Sequence, residues 1–266
     1  MPKGVPKAGF RKTKGWKQRV PKKMRAPEML AADVEPDTGE TDAQIGARLA
    51  ERIELLSTLT EAAMTGDARA LVVSGPAGLG KSFTIEQALT AWDPNALNHT
   101  IIKGYVKTTG LYRTLYQFRD VGQVIVFDDA DSIFFDDVSL NMLKAVCDTT
   151  ERRVVSYLAE ANFVDDEGET LPRSFEFNGT IVFITNLDFD ALIEKNHRLT
   201  PHLQAMVSRA HYIDLTMKTR RDHLVRIKQV LKAGMLRERG VTALQEREVV
   251  EFIEENIDRM RELSLR

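Results

Sequence analysis

The sequence has one cysteine, Cys147, in 266 residues, no apolar run beyond strand length, and no acidic residue before Glu28. A lone cysteine excludes an internal disulfide and suits a reducing compartment such as the cytoplasm; Cys147 lies on an apolar helical face and reads as core filler. Runs such as "IVFI" at 181 to 184 are too short to span a bilayer, so no membrane partner is expected. Five scattered histidines and one cysteine offer no metal-ligand spacing, and no nuclease constellation is present. No internal repeat is visible.

The missing acids at the start expose an asymmetry that the net charge of -2 conceals. Ten Lys or Arg fall between Lys3 and Arg25. This stretch has no apolar run for a secretory signal, and its Pro and Gly content opposes an amphipathic transit helix. It reads as a disordered basic arm, with Phe10 and Trp16 available to stack on bases. A nucleic-acid partner is the expected reading, since the arm's cations displace phosphate counterions; a solubilising tail is the alternative.

A linker, "APEMLAADVEPDTGE", closes the arm at residue 40. Thr41 and Gln44 have capping-box spacing, and Ile45, Leu49, Ile53, Leu56 and Ala63 follow a helical period up to Gly66. Apolar strands are then expected at 70–74, 100–104, 124–128, 180–185 and 211–215. Helices are expected at 81–92, around Leu111 to Phe118, around Leu140 to Val146, and near 201–208. Apolar strands alternating with helices predict an α/β fold, a parallel sheet covered on both faces. After Leu215 only helical periods remain: Leu224, Ile227 and Leu231 up to Gly234, then a helix capped by Thr242 and Gln245 that carries Val249, Val250, Ile253 and Ile257. A third begins near Asp258 and is cut off by the chain end. The expected domains are an arm and linker at 1–40, an α/β core at 41–215 and a helical lid at 216–266, possible truncation included.

"GPAGLGKS" fits G-x-x-x-x-G-K-[ST] and sits after an apolar strand, opening a helix. Gly75, Pro76, Ala77, Gly78, Leu79 and Gly80 would wrap backbone N–H groups around phosphates, with Lys81, Ser82 and Phe83 starting the helix. Lys81 would neutralise the β- and γ-phosphates and Ser82 would ligate Mg²⁺. A metal-linked carboxylate must come from a neighbouring strand end, and Asp128 in "VIVFDDADS" supplies it. Asp129 follows and can polarise an attacking water; Asp131 is the substitute, with a loop or capping role as its alternative. Asn186, ending "IVFITN", can orient that water or close an asparagine turn.

Together these residues resemble the AAA+ ATPase superfamily across roughly residues 42 to 266, as a five-stranded parallel P-loop sheet with a small C-terminal helical lid. The resemblance implies a Walker A motif at Gly75 to Ser82, a Walker B motif at Asp128 and Asp129, a sensor at Asn186, and ATP with Mg²⁺ as cofactors. The family usually has Glu where Asp129 stands, one methylene longer. "SRA" at 208 to 210 is similar to the Ser-Arg-Cys motif of clamp-loader subunits, in which the arginine reaches the ATP of the adjacent subunit; Arg209 takes that part here. Arg266 falls near the family's second sensor. The fuller pattern from "GLYRTLYQFRD" to "SFEFNGTIVFITN" resembles a group of bacteriophage AAA+ proteins, which places the chain in a host cell's cytoplasm. Between Cys147 and the Asn186 strand, two β-prone arms over 153–178 flank an acidic turn carrying Asp165, Asp166, Glu167 and Glu169. The tip would repel phosphates, against a pore hairpin that pulls DNA; a plain surface hairpin is the alternative. The expected function is Mg²⁺-dependent ATP hydrolysis in a homo-oligomeric ring, a hexamer among the sizes, serving DNA transactions. The rivals are a chaperone remodelling a protein substrate and a nucleotide-gated assembly switch with little turnover.

Overall fold

A computed structural model describes residues 39–158, 164, 168, 170–195, 199–217, 219–234, 236, 237, 240–260 and 263. The basic arm, the hairpin-tip acids Asp165, Asp166, Glu167 and Glu169, and Arg266 lie outside the described residues; of the expected third lid helix, residues 258–260 and 263 are described, as the end of a 3₁₀ turn and irregular chain. Five short apolar strands make the central sheet: β1 (Ala70–Ser74), β2 (His99–Lys103), β3 (Val124–Asp128), β6 (Thr180–Thr185) and β7 (His211–Asp214), in the order β2-β3-β6-β1-β7. All pairings are parallel. The second strand runs one residue earlier than the sequence pattern suggests, because Gly104 turns left-handed at φ 89° and leaves the sheet.

Strand alternation divides the core between two faces. Leu71, Val73, Val126, Val182 and Ile184 pack under α1 (Asp42–Thr65) and α2 (Lys81–Trp92). Their neighbours Val72, Ile125, Phe127, Ile181 and Phe183 pack under α3 (Thr108–Gln117), α4 (Asp137–Val146) and α6 (Thr200–Val207). On this second face Phe183 stacks on Phe127 at 5.9 Å, and Phe134 meets Phe183 and Phe189, each at 5.5 Å. Burying one such ring stabilises the fold by about 1.5–3 kcal/mol. Phe189 opens α5 (Phe189–Glu194), which Asp188 caps by accepting from the Ala191 amide at 2.8 Å. Six residues are too few to show a helical period, so α5 is not evident from sequence.

The first helix carries the expected capping box between Thr41 and Gln44. Its outer face receives α7 (Arg220–Lys232): Gln229 donates to the Gly46 carbonyl at 2.7 Å, Arg221 pairs with Asp42 at 2.7 Å, and Arg48 with the buried Asp222 at 3.2 Å. Thr242 caps α8 (Ala243–Asn256) as expected, and a 3₁₀ turn (Ile257–Arg259) follows it. Ile227, Leu231 and Leu263, with Val250, Ile253 and Ile257 against them, form a small core of their own. Val249, by contrast, is exposed with Leu244 and Phe252. Between Cys147 and β6 the two expected arms pair antiparallel, as β4 (Val154–Ser156) and β5 (Ser174–Glu176). Cys147 is buried at the C-terminus of α4.

Candidate functional site

The strand registers bring the chemistry to one edge. Ser74 pairs with Thr185, Asp128 with Ile184, and Lys103 with Asp128. The residues just past these strand ends (Gly75, Asn186, Asp129 and Gly104) therefore meet at the carboxyl edge, where ligands bind in open parallel sheets. Gly75 leaves β1 at φ 150°, and a Cβ there would stand 3.0 Å from the Leu215 Cβ and 3.1 Å from its carbonyl carbon. Only glycine lets the chain turn so close to β7. Gly80, at φ 88°, enters α2 without a side-chain cap. The first N–H groups of that helix thus stay directed at whatever the loop encloses.

Lys81 is 4% exposed, its ammonium folded back into the loop. It donates to the Gly75 carbonyl, to the Pro76 carbonyl at 2.9 Å and to the Asn186 Oδ1 at 3.0 Å. The Asn186 amide nitrogen in turn donates to the Asp129 carboxylate at 2.7 Å. One asparagine so bridges the loop cation and the exposed carboxylate. Asp129 takes up φ 52°, a left-handed conformation that Asp tolerates better than most residues, and its amide donates to the Ile184 carbonyl at 3.0 Å. This turn aims consecutive carboxylates differently. Asp128, 5% exposed, points inward and accepts from the Ser82 hydroxyl at 2.8 Å.

Asp131 stands behind these groups and accepts from Thr185 at 2.6 Å. Burial holds its carboxyl above the ordinary carboxylate range, against the Thr185 hydrogen bond; the Asp129 charge adds to the shift. Its contact is with Thr185, the residue before Asn186. Two residues here were not singled out from the sequence. Thr185 also accepts from the Leu187 amide at 3.0 Å, and Lys103 holds Glu86 at 3.2 Å and the second Asp128 oxygen at 3.6 Å. The signal for Lys103 was available, as a cation ending the strand beside β3, but its register was not. Phe83 is exposed on the first turn of α2.

Arg209 is not brought to this edge. It follows α6 and precedes β7, at the amino edge of the sheet, where its guanidinium donates to the Ala205 carbonyl at 3.3 Å. The length of β7 separates it from the loop, about 13 Å at ~3.3 Å per residue. Below the loop, Leu49, Ile53, Leu79, Leu215 and Met217 line an apolar cleft between Arg52 and Arg226. Among the described residues the Arg226 Nε, buried there, has no hydrogen-bond partner.

No family model matches the chain. It is 36% identical over 221 residues to the "Uncharacterized 36.7 kDa protein in nrdC-mobD intergenic region" of Enterobacteria phage T4, covering 82% of this chain and 67% of that protein. The chain belongs to that phage protein's family. Its fold is an α/β fold with a five-stranded parallel sheet, the loop-bearing β1 lying between the Asn186 strand and the last strand. Among similar solved structures, NtrX from Brucella abortus in complex with ADP overlaps 67% of this chain and 40% of its own, at 10% identity and a TM-score of 0.40. The Thermotoga maritima RuvB Holliday junction branch migration motor overlaps 71% and 51%, at 15% identity and a TM-score of 0.41. The chain thus spans about half or less of the length of those two structures. Among the described residues no helix is long and apolar enough to cross a membrane.

Proposed function

We propose that this chain binds ATP with Mg²⁺ and hydrolyses it as a ring of identical copies serving phage DNA transactions in the cytoplasm of an infected cell. The observation that carries the reading is the 2.8 Å contact between Ser82 and Asp128, which joins the phosphate loop to a carboxylate two strands away. A hydroxyl and a buried carboxylate at one point are the hard oxygen ligands that Mg²⁺ prefers. When bound, the ion neutralises charge on the phosphate oxygens. Lys81 would exchange its carbonyl partners for the β- and γ-phosphates. Asp129, exposed and oriented by Asn186, takes the proton of the attacking water, and the Asn186 amide holds that water in line.

In this reading residues 41–215 act as the catalytic core and 216–266 as the lid. Arg209 stands too far from its own loop to serve it, so it reaches the triphosphate of an adjacent copy. The basic arm, outside the described residues, supplies the nucleic-acid contact.

A second reading, remodelling of a protein substrate, is favoured by apolar groups beside the site. Tyr105, 77% exposed, follows β2, and Phe135 and Val138 are exposed beyond β3. ATP turnover with and without single- and double-stranded DNA separates the two. Stimulation by DNA is expected. Stimulation by a protein partner alone favours remodelling, and tight ATP binding without phosphate release favours an assembly switch.

A further inference from the structure

A cation closes the outer side of Asp128. Lys103 and Asp128 are register partners on the parallel strands β2 and β3, so their side chains leave the same face of the sheet. That face lies under α2, where Ser82 and Glu86 stand one helical turn apart on one side of the helix. Four side chains are thereby linked in a row. The Ser82 hydroxyl donates to Asp128 Oδ1 at 2.8 Å, and the Lys103 ammonium stands 3.6 Å from Oδ2 of the same carboxylate. That ammonium donates to Glu86 Oε2 at 3.2 Å, one turn further from the phosphate loop.

Asp128 thus turns its two oxygens to different partners: Oδ1 meets a neutral hydroxyl, and Oδ2 faces a charge. The carboxylate is buried, whereas the side chains of Lys103 and Glu86 are about half exposed. The hydrogen bond to Glu86, with the charge of Asp128 adding to it, raises the Lys103 ammonium above its ordinary range against the effect of burial. Lys103 therefore stays charged beside Oδ2 throughout the neutral range. A phosphate is a poor partner for this lysine, because two carboxylates already face its ammonium.

We propose that Lys103, anchored by Glu86, is a positioning residue that closes the second oxygen of Asp128 and so selects Mg²⁺ over the larger Ca²⁺ at the nucleotide site. This rests on the reading that Ser82 and Asp128 hold the metal. Ca²⁺ accepts a variable number of oxygens and readily takes both from one carboxylate, whereas Mg²⁺ demands a near-ideal octahedron and keeps several waters. A closed Oδ2 costs Mg²⁺ little and costs Ca²⁺ a ligand. The charge of Lys103 also repels either ion, but that effect is common to both and leaves the preference between them unchanged.

The test compares the full-length wild type with Lys103→Met, which keeps an unbranched stem without the charge, and Lys103→Arg, which keeps a charged donor. The affinity of a non-hydrolysable ATP analogue is read from its effect on the melting temperature, in excess Mg²⁺, in excess Ca²⁺ and in EDTA, so no turnover enters the readout. The wild type is expected to bind the analogue more tightly with Mg²⁺ than with Ca²⁺. In Lys103→Met the ratio of the two affinities should move toward Ca²⁺ by about tenfold, the lower end of what the partners of a metal ligand contribute to metal affinity. Lys103→Arg should keep most of the wild-type ratio. An unchanged ratio in Lys103→Met, where metal does strengthen wild-type binding, overturns the role of Lys103 and leaves the metal reading standing. An equal gain or loss with both ions does the same, since it assigns Lys103 to the general field of the site. Wild-type affinity that is equal in Mg²⁺ and in EDTA overturns both ideas. A shift in Lys103→Arg as large as in Lys103→Met ties the effect to the shape of lysine, not its charge at Oδ2, and refutes the proposal too. The exposed Lys103–Glu86 pair adds little to stability. Should Lys103→Met nonetheless not melt cooperatively, Glu86→Gln, which frees the lysine from its anchor, goes through the same series with the same shift expected and the same criteria.

Discussion

Replacing Lys81 with alanine separates the ligand role of this cation from any role in the fold. In the structure its ammonium is nearly sealed inside the loop, bonded to the carbonyls of Gly75 and Pro76 and to Asn186. Lys103 cannot replace it, being held by Glu86 and Asp128 on the far side of the carboxylate. Two charge-assisted hydrogen bonds to phosphate, at about 1.5–3 kcal/mol each, amount to roughly 3–6 kcal/mol of lost binding, or about 10²- to 10⁴-fold in Kd. Because a buried cation held mainly by neutral acceptors is costly, the fold itself should change by no more than about 1 kcal/mol. The assay is thermal unfolding of wild type and variant with increasing ATP and Mg²⁺. Ligand at 100 times Kd stabilises the wild type by about 2.7 kcal/mol, a rise of several degrees. The variant should melt near the wild-type temperature without ligand and show no rise at the same concentration. An equal ligand-induced rise in both proteins would refute the site.

Asp129→Asn should bind ATP normally and lose about 10²- to 10⁴-fold in turnover, since its amide oxygen still accepts from Asn186 but takes no proton from water; single-turnover phosphate release checks this, and full activity would pass the role of base to another group. Deleting residues 1–25 should leave basal turnover intact and flatten the salt dependence of DNA binding, because ten cations leave with the arm; equal DNA affinity at every salt concentration would make the arm a solvated tail. Asp131→Asn tests the buried carboxyl. Because burial raises its folded pKa, wild-type stability attributable to Asp131 is full below the unfolded pKa and falls as pH rises through the folded value. The melting temperature of the variant should therefore exceed that of wild type most at neutral pH, the difference shrinking on acidification through the carboxylate range. A difference independent of pH would show that Asp131 is not shifted.

Much of this protein is determined locally. "ALVVS", "VIVFD" and "TIVFIT" are strands because β-branched and aromatic residues run unbroken between turn signals, and Thr41 with Gln44 starts a helix because the two side chains satisfy each other's backbone donors. The loop at 75–80 was legible for the same reason: its glycines answer to backbone dihedrals and close approach, which belong to the segment itself. Lys81, Ser82, Asp128, Asp129 and Asn186 could be picked out because strand ends in a parallel sheet share one edge. What only the tertiary structure decided are matters of register and reach. The partnership of Lys103 with Asp128, the bridge from Lys81 through Asn186 to Asp129, and the hydrogen bond from Arg69 to the Thr150 carbonyl all join residues far apart in the chain. Arg209 is the plainest case. The sequence places it between a helix and a strand, but only the direction of β7 puts it at the edge away from the phosphate loop, and that separation follows from how the strands pair, which no local run of residues encodes.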